Sequence, residues 1–120
     1  MKKKILIVDD DPRNIFALKL TLKARGYQII TATMGQEAID LLKNDEEIKV
    51  LLIDMMMPDM DGYETMKIIR ETSSIKETTV IAVTAQAMPE DREKCLEAGA
   101  DDYITKPIDL DQLLIAIEKF

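Results

Sequence analysis

The sequence has no histidine and no tryptophan, a single cysteine, and only three tyrosines and two phenylalanines in 120 residues. Without histidine, the commonest general base and the commonest transition-metal ligand are both missing. A lone thiol, Cys95, cannot close an internal disulfide, which suits a reducing, cytoplasmic setting. Its ordinary place is that of a small apolar residue in a helix. Long apolar runs are absent as well. The opening MKKKILIVDDD has a basic head but only four apolar residues behind it, so neither a signal peptide nor a membrane anchor is expected. Positive charge is also in deficit: 16 Lys and Arg stand against 23 Asp and Glu, a formal charge of -7. That balance argues against an extended nucleic-acid-binding or anionic-membrane-binding surface. No internal repeat, low-complexity segment or linker interrupts the chain.

What is present fits one domain, residues 1–120, with a single packed core, since 47% of the residues are hydrophobic. Short apolar runs alternate with stretches of helical spacing. Ile5 to Val8 is the first run. Asp11 then suits a helix N-cap with Pro12 in the first turn, Ile15, Leu18 and Leu22 recur at helical spacing, and Gly26 is a stop. Tyr27 to Ala32 reads as a second strand, and Gly35 to Lys43 as a second helix whose short apolar face makes it the weakest element. The third strand, Val50 to Ile53, leads to a turn punctuated by Pro58 and Gly62. Asp61 and Glu64 then have the spacing of a capping box, ahead of Tyr63, Met66 and Ile69 on one helical face. Thr79 to Val83 is a fourth strand, Pro89 to Gly99 a strongly charged helix, and Asp102 to Thr105 a fifth strand. Asp109 and Gln112 open the last helix, which carries Leu110, Leu113, Leu114 and Ile117 to Phe120. Five short apolar strands alternating with five helices predict an α/β fold, a doubly wound parallel sheet with helices on both faces.

The chemistry-bearing residues fall where the apolar runs stop. Asp9 and Asp10 follow the first run, Asp54 the third, Thr84 the fourth and Lys106 the fifth. In a doubly wound sheet the carboxyl ends of the strands share one edge, so these residues should meet there. Taken alone, Asp9 to Asp11 is equally a solvated, helix-capping turn, and Asp54 an exposed strand-end residue. Together they form a cluster in which each close carboxylate pair repels by about 4 kcal/mol at an effective dielectric of 20. A hard divalent cation or a protonation would relieve it, and magnesium fits because it takes oxygen ligands and keeps waters that phosphate oxygens can replace.

These segments, Ile5-Leu-Ile-Val-Asp-Asp10, Asp54 followed by Met-Pro-Asp-Met-Asp-Gly62, Val83-Thr-Ala85 and Gly99-Ala-Asp-Asp-Tyr-Ile-Thr-Lys-Pro107, resemble the receiver domain of two-component response regulators over the whole chain. The resemblance implies a flavodoxin-like sheet of order 2-1-3-4-5. It makes Asp54 the phosphoacceptor, gives magnesium to Asp9, Asp10, Asp54 and the backbone carbonyl of Met56, and puts Thr84 and Lys106 on the phosphoryl oxygens. Tyr103 falls on the family's aromatic switch position, and the Lys106–Pro107 bond on one often cis in the family. By resemblance the phosphodonor is a sensor histidine kinase or a histidine phosphotransfer protein. The output is then a protein target at the face of the fourth helix, fifth strand and fifth helix, with no direct contact to nucleic acid or membrane. The domain would be a phosphorylation-switched signalling module and not an enzyme beyond its own phosphoryl transfer and slow autodephosphorylation. Met56 and Gln86 occupy places that influence acyl-phosphate hydrolysis in the family, and Met56 cannot orient a water by hydrogen bonding. The Asp91-Arg-Glu-Lys-Cys-Leu-Glu-Ala-Gly-Ala run resembles receivers of hybrid histidine kinases. The chain is expected either to stand alone or to be one part of a longer protein.

Four rivals fit less well. Phosphohydrolases of the haloacid dehalogenase type share an aspartate nucleophile but carry a second Asp two residues on, where this chain has Met56. A calcium loop at Asp59-Met-Asp-Gly62 would need ligands at Met57 and Ile68. The first strand leads into Asp-Asp-Asp-Pro, not a glycine-rich phosphate cradle, which counts against a nucleotide site. An inert receiver would not need to keep Asp10, Asp54, Thr84 and Lys106 together.

Overall fold

The structure is a computed structural model that describes residues 3–57, 60–85 and 88–120. The expected turn proline Pro58, Asp59 and the hydrolysis-linked Gln86 lie outside the described residues.

The elements follow the alternation of the sequence: β1 (Lys4–Val8), α1 (Pro12–Ala24), β2 (Gln28–Ala32), α2 (Gly35–Asn44), β3 (Ile48–Asp54), α3 (Gly62–Glu71), β4 (Thr79–Thr84), α4 (Pro89–Glu97), β5 (Asp102–Thr105) and α5 (Leu110–Lys119). All four strand pairs are parallel, in the order β2-β1-β3-β4-β5, so the chain reverses direction across the sheet between β1 and β3. That reversal opens a crevice outside the strand ends, where doubly wound sheets place their ligands.

The continuous apolar runs are explained by two cores, one on each face of the sheet. Leu6, Val8, Leu51, Ile53, Val80 and Ala82 pack on one side with residues of α2, α3 and α4. Ile5, Ile7, Val50, Leu52, Ile81 and Val83 pack on the other with α1 and α5. Alternate residues of one strand thus enter opposite layers, and each layer needs an apolar side chain.

The helix ends form as their capping residues dictate. Asp11 Oδ1 accepts from the Arg13 N–H at 2.9 Å, Asp61 Oδ1 from Glu64 N–H at 3.0 Å, and Asp109 Oδ1 from Gln112 N–H at 3.2 Å. Element ends shift by a residue or two from the expected ones; at the site edge, Asp54 and Thr84 are the last residues of their strands, not the first beyond them. The expectation that α2 is the weakest helix is corrected. It buries Gly35, Ala38, Ile39 and Leu42, and a Cβ at Gly35 would lie 2.2 Å from Thr65 Oγ1. Part of its packing is therefore close backbone approach to α3, which apolar periodicity does not register. The thinly anchored helix is α4, whose only buried residue is Cys95.

Candidate functional site at the carboxyl edge of the sheet

The parallel register carries the ends of β1, β3 and β4 to one edge: Val8 pairs with Ile53, and Asp54 with Val83. Asp9 follows β1 and is 4% exposed, while Asp54 ends β3 at 6%. Both carboxylates are fixed by donors. Asp9 Oδ1 accepts from Asp11 N–H at 2.9 Å and Oδ2 from Asn14 Nδ2 at 3.3 Å. Asp54 Oδ1 accepts from Met56 N–H at 3.0 Å and Oδ2 from Lys106 Nζ at 3.3 Å. The same ammonium stands 3.7 Å from Asp9 Oδ2.

Lys106 reaches this position because β5 ends beside β4. Thr84 pairs with Thr105, and Lys106 N–H donates to the Thr84 carbonyl at 2.8 Å. The Lys106–Pro107 peptide is cis. Thr84, 2% exposed, brings its hydroxyl-bearing side chain to the strand end next to Lys106. Asp10 is exposed, yet one carboxylate oxygen from each of Asp9, Asp10 and Asp54 lies within 4.8 Å of the others.

The electrostatics follow from that crowding. Burial above all, and then the charge of Asp54, push the Asp9 carboxyl above its ordinary 3.8, against the Asp11 N–H, Lys106 and Asn14, which pull it down. Converging carboxylates, hard oxygen donors with one lysine among them, suit a hard divalent cation of the magnesium type. Beside Asp9 and Lys106 a cleft of about 570 Å³ opens between Asn14 and Leu18 on one wall and Pro107 and Ile108 on the other.

The sequence-expected residues Asp9, Asp10, Asp54 and Lys106 come together, with Thr84 alongside. Met56 follows β3 with its side chain 56% exposed. Tyr103 stands apart from the carboxylates. It pairs with Ala82 across the sheet and is half-buried against the layer that holds Cys95, and burial raises its phenol pKa. Asn14 was not among the expected residues. Its only sequence signal is a polar side chain in the first turn of α1, five residues after Asp9, a position that usually faces water.

Comparison with known proteins places these observations in a family. The model of the response regulator receiver domain matches residues 5–118. The transcriptional regulatory protein CpxR of Escherichia coli K12 is 44% identical over 113 residues, which are 94% of this chain and 46% of that protein. The sensor histidine kinase RcsC of Salmonella typhi is 40% identical over 109 residues, 91% of this chain and 11% of the kinase. The chain thus spans half or less of these curated relatives. Among solved structures, the receiver domain of sensor histidine kinase PA1611 from Pseudomonas aeruginosa PAO1, with magnesium coordinated in its active-site cleft, superposes with a TM-score of 0.89. It is 30% identical, covering 99% of this chain and 97% of that one.

Proposed function

This chain belongs to the response regulator receiver family of two-component signal transduction, and on that premise we propose that Asp54 is its phosphoacceptor. The observation that carries the assignment is the setting of Asp54: a buried carboxylate at a strand end, one oxygen held by Met56 N–H and the other by Lys106, with two more carboxylates beside it. A carboxylate is ionised at neutral pH, so the attack needs no histidine base.

In the proposed step an Asp54 oxygen attacks the phosphorus of a phosphohistidine on a sensor histidine kinase or histidine phosphotransfer protein. An O–P bond forms, the P–N bond breaks, and its electron pair returns to the imidazole nitrogen, which takes up a proton. In-line transfer is mainly positioning and charge neutralisation at the equatorial oxygens. Asp9, Asp10, Asp54 and the Met56 carbonyl would hold magnesium, which supplies charge stabilisation and donor orientation when bound. Lys106 and the Thr84 hydroxyl bind phosphoryl oxygens. Recruitment of Thr84 frees space for Tyr103 to turn inward, which alters the surface of α4, β5 and α5 where a protein target is read. Residues 1–120 act as one cytoplasmic signalling domain. Its catalysis is limited to its own phosphoryl transfer and slow hydrolysis, and its net charge of -7 argues against direct nucleic-acid binding by this domain.

The test is intact mass after incubation with a small-molecule acyl phosphate, with and without magnesium, for the native chain and Asp54→Ala. One added phosphoryl group, dependent on both magnesium and Asp54, is expected. Addition that persists in Asp54→Ala would place the acceptor elsewhere. A native chain that gains nothing and binds no magnesium would be inert.

A further inference from the structure

We propose that Asn14 is a positioning residue for the metal-binding carboxylate of Asp9, holding it in place when Lys106 turns to the phosphoryl group. The inference rests on the proposed roles of Asp9 and Lys106. The two buried carboxylates of the site are built on one plan. Each has one oxygen on a backbone N–H two residues ahead, Asp11 for Asp9 and Met56 for Asp54, and the other on a side chain. The side chains differ in charge. For Asp54 the donor is the Lys106 ammonium at 3.3 Å; for Asp9 it is the Asn14 carboxamide at 3.3 Å, with Lys106 farther off at 3.7 Å.

Lys106 has three donors at one point, and a phosphoryl group on Asp54 would draw that point away from Asp9, already its more distant carboxylate at 3.7 Å against 3.3 Å. When Lys106 moves, the described donors left on Asp9 are Asp11 N–H and Asn14 Nδ2. A neutral amide suits this role, because it fixes the plane of the carboxylate and leaves its negative charge available to the cation. A lysine at the same place would orient Asp9 but repel the metal.

The local fold delivers Asn14 to this position. Asp11 caps α1 and Pro12 opens it. Side chains in a first helical turn lean back toward the N-terminus, over the loop they follow. Asn14 therefore reaches back to Asp9 and lines the cleft beside Lys106. Outer partners that orient metal ligands typically change metal affinity by about 10–100-fold when removed.

The experiment is a magnesium titration by calorimetry, paired with phosphorylation by an acyl phosphate at varied magnesium. It uses the native chain, Asn14→Leu, which keeps the shape and removes the donor, Asn14→Gln, which keeps the amide, and Thr21→Val. Thr21 lines the same cleft and donates to the Ala17 carbonyl, not to a site carboxylate. Asn14→Leu should bind magnesium about 10-fold more weakly. The magnesium needed for half-maximal phosphorylation should rise in step, while the rate at saturating magnesium changes by less than about twofold. Asn14→Gln should recover part of the affinity, and Thr21→Val should match the native chain. Native affinity in Asn14→Leu, or an equal loss in Thr21→Val, overturns the proposal. A native chain that binds no magnesium overturns instead the metal assignment of Asp9 beneath it, and the inference with it.

Discussion

The Cys95 thiol of α4 stands 3.6 Å from the Tyr63 hydroxyl of α3. It is the one point at which α4 enters the core, because the other residues of that helix, six of them charged, are not buried. Lys94 adds a cation–π contact, its ammonium 4.7 Å from the Tyr63 ring centroid. Tyr103 packs against the same layer from β5. The proposed output helix is therefore clamped lightly, by Tyr63 and a layer that Tyr103, the proposed switch residue, also packs against.

Light clamping should be measurable as thiol reactivity. Cys95 is fully buried, so a maleimide can label it only when α4 opens. Tyr63→Ala removes the ring that the thiol and Lys94 rest on, and we expect labelling to speed up about 10-fold, equivalent to about 1.4 kcal/mol of lost local stability. Tyr63→Phe keeps the ring and should change the rate far less. Equal labelling in the native chain and Tyr63→Ala would mean that α4 is held elsewhere.

Asp54 should be kept at the expense of stability. It is buried beside Asp9 with one shared ammonium between them, so like charges repel in a site of reduced dielectric. Asp54→Asn should stabilise the magnesium-free chain at pH 7 by about 1 kcal/mol in denaturant unfolding, as substitutions that relieve functional strain commonly do. Magnesium should narrow the difference, since a cation that binds only the native chain stabilises it by mass action. A less stable Asn variant would show that Asp54 is net stabilising through Lys106.

Asp9 should give the site an inverted pH response. Its folded pKa lies above the ordinary 3.8, chiefly through burial, so between the two values the native state binds more protons than the unfolded one. Stability from this group therefore rises as pH falls through the folded pKa, and its penalty is fully present above that pKa. Urea melts of the native chain and Asp9→Asn should differ most near neutrality, with the Asn variant more stable, and converge as pH drops toward 3.8. A gap that widens on acidification would mean that Asp9 is held ionised by its donors.

The sequence makes Asp9, Asp54 and Lys106 legible for a physical reason. A charged residue that ends an apolar run must leave the core, and parallel strands all leave it on one edge. The same logic yields the sheet, since the three central strands, β1, β3 and β4, read as apolar on both faces. Asn14 and Gly35 were not legible. Asn14 looks like any polar residue of a first helical turn, and only the fold shows that it bends back to Asp9. Gly35 contributes by the absence of a side chain, which a search for apolar periodicity counts as nothing. Arg70 was missed in the same way: it reads as a surface arginine at a helix end.

Arg70, on α3, instead ties the α3–β4 and α4–β5 loops together. Its guanidinium donates to the Gly99 carbonyl at 3.0 and 2.6 Å, to the Lys76 and Thr78 carbonyls at 2.7 Å each, and to Asp101 Oδ2 at 3.0 Å. The planar fork has five N–H donors and makes five hydrogen bonds here, where an ammonium offers only three donors. Arg70→Lys should cost about 2 kcal/mol in thermal or chemical unfolding and Arg70→Ala somewhat more. Gly99→Ala should cost at least about 1 kcal/mol, because φ is +120° and the new Cβ would lie 3.0 Å from Arg70 Cγ. Neutral outcomes would show that water replaces the arginine without loss.

Met56 should set a long lifetime for the phosphorylated state. Hydrolysis of an acyl phosphate requires a water aligned for attack, and a thioether is too weak an acceptor to hold one. The Met56 N–H is already engaged by Asp54, and its side chain points to solvent at 56% exposure. Met56→Asn or Met56→Glu would place a strong acceptor two residues from Asp54, the proposed phosphoacceptor. Either should shorten the half-life of the acyl phosphate by about 10-fold, equivalent to about 1.4 kcal/mol of barrier, as followed by intact mass after removal of the donor. If the native chain already decays as fast as Met56→Asn, the water is held by another residue. Gln86 is then the side chain to change next, and Gln86→Leu should slow the decay.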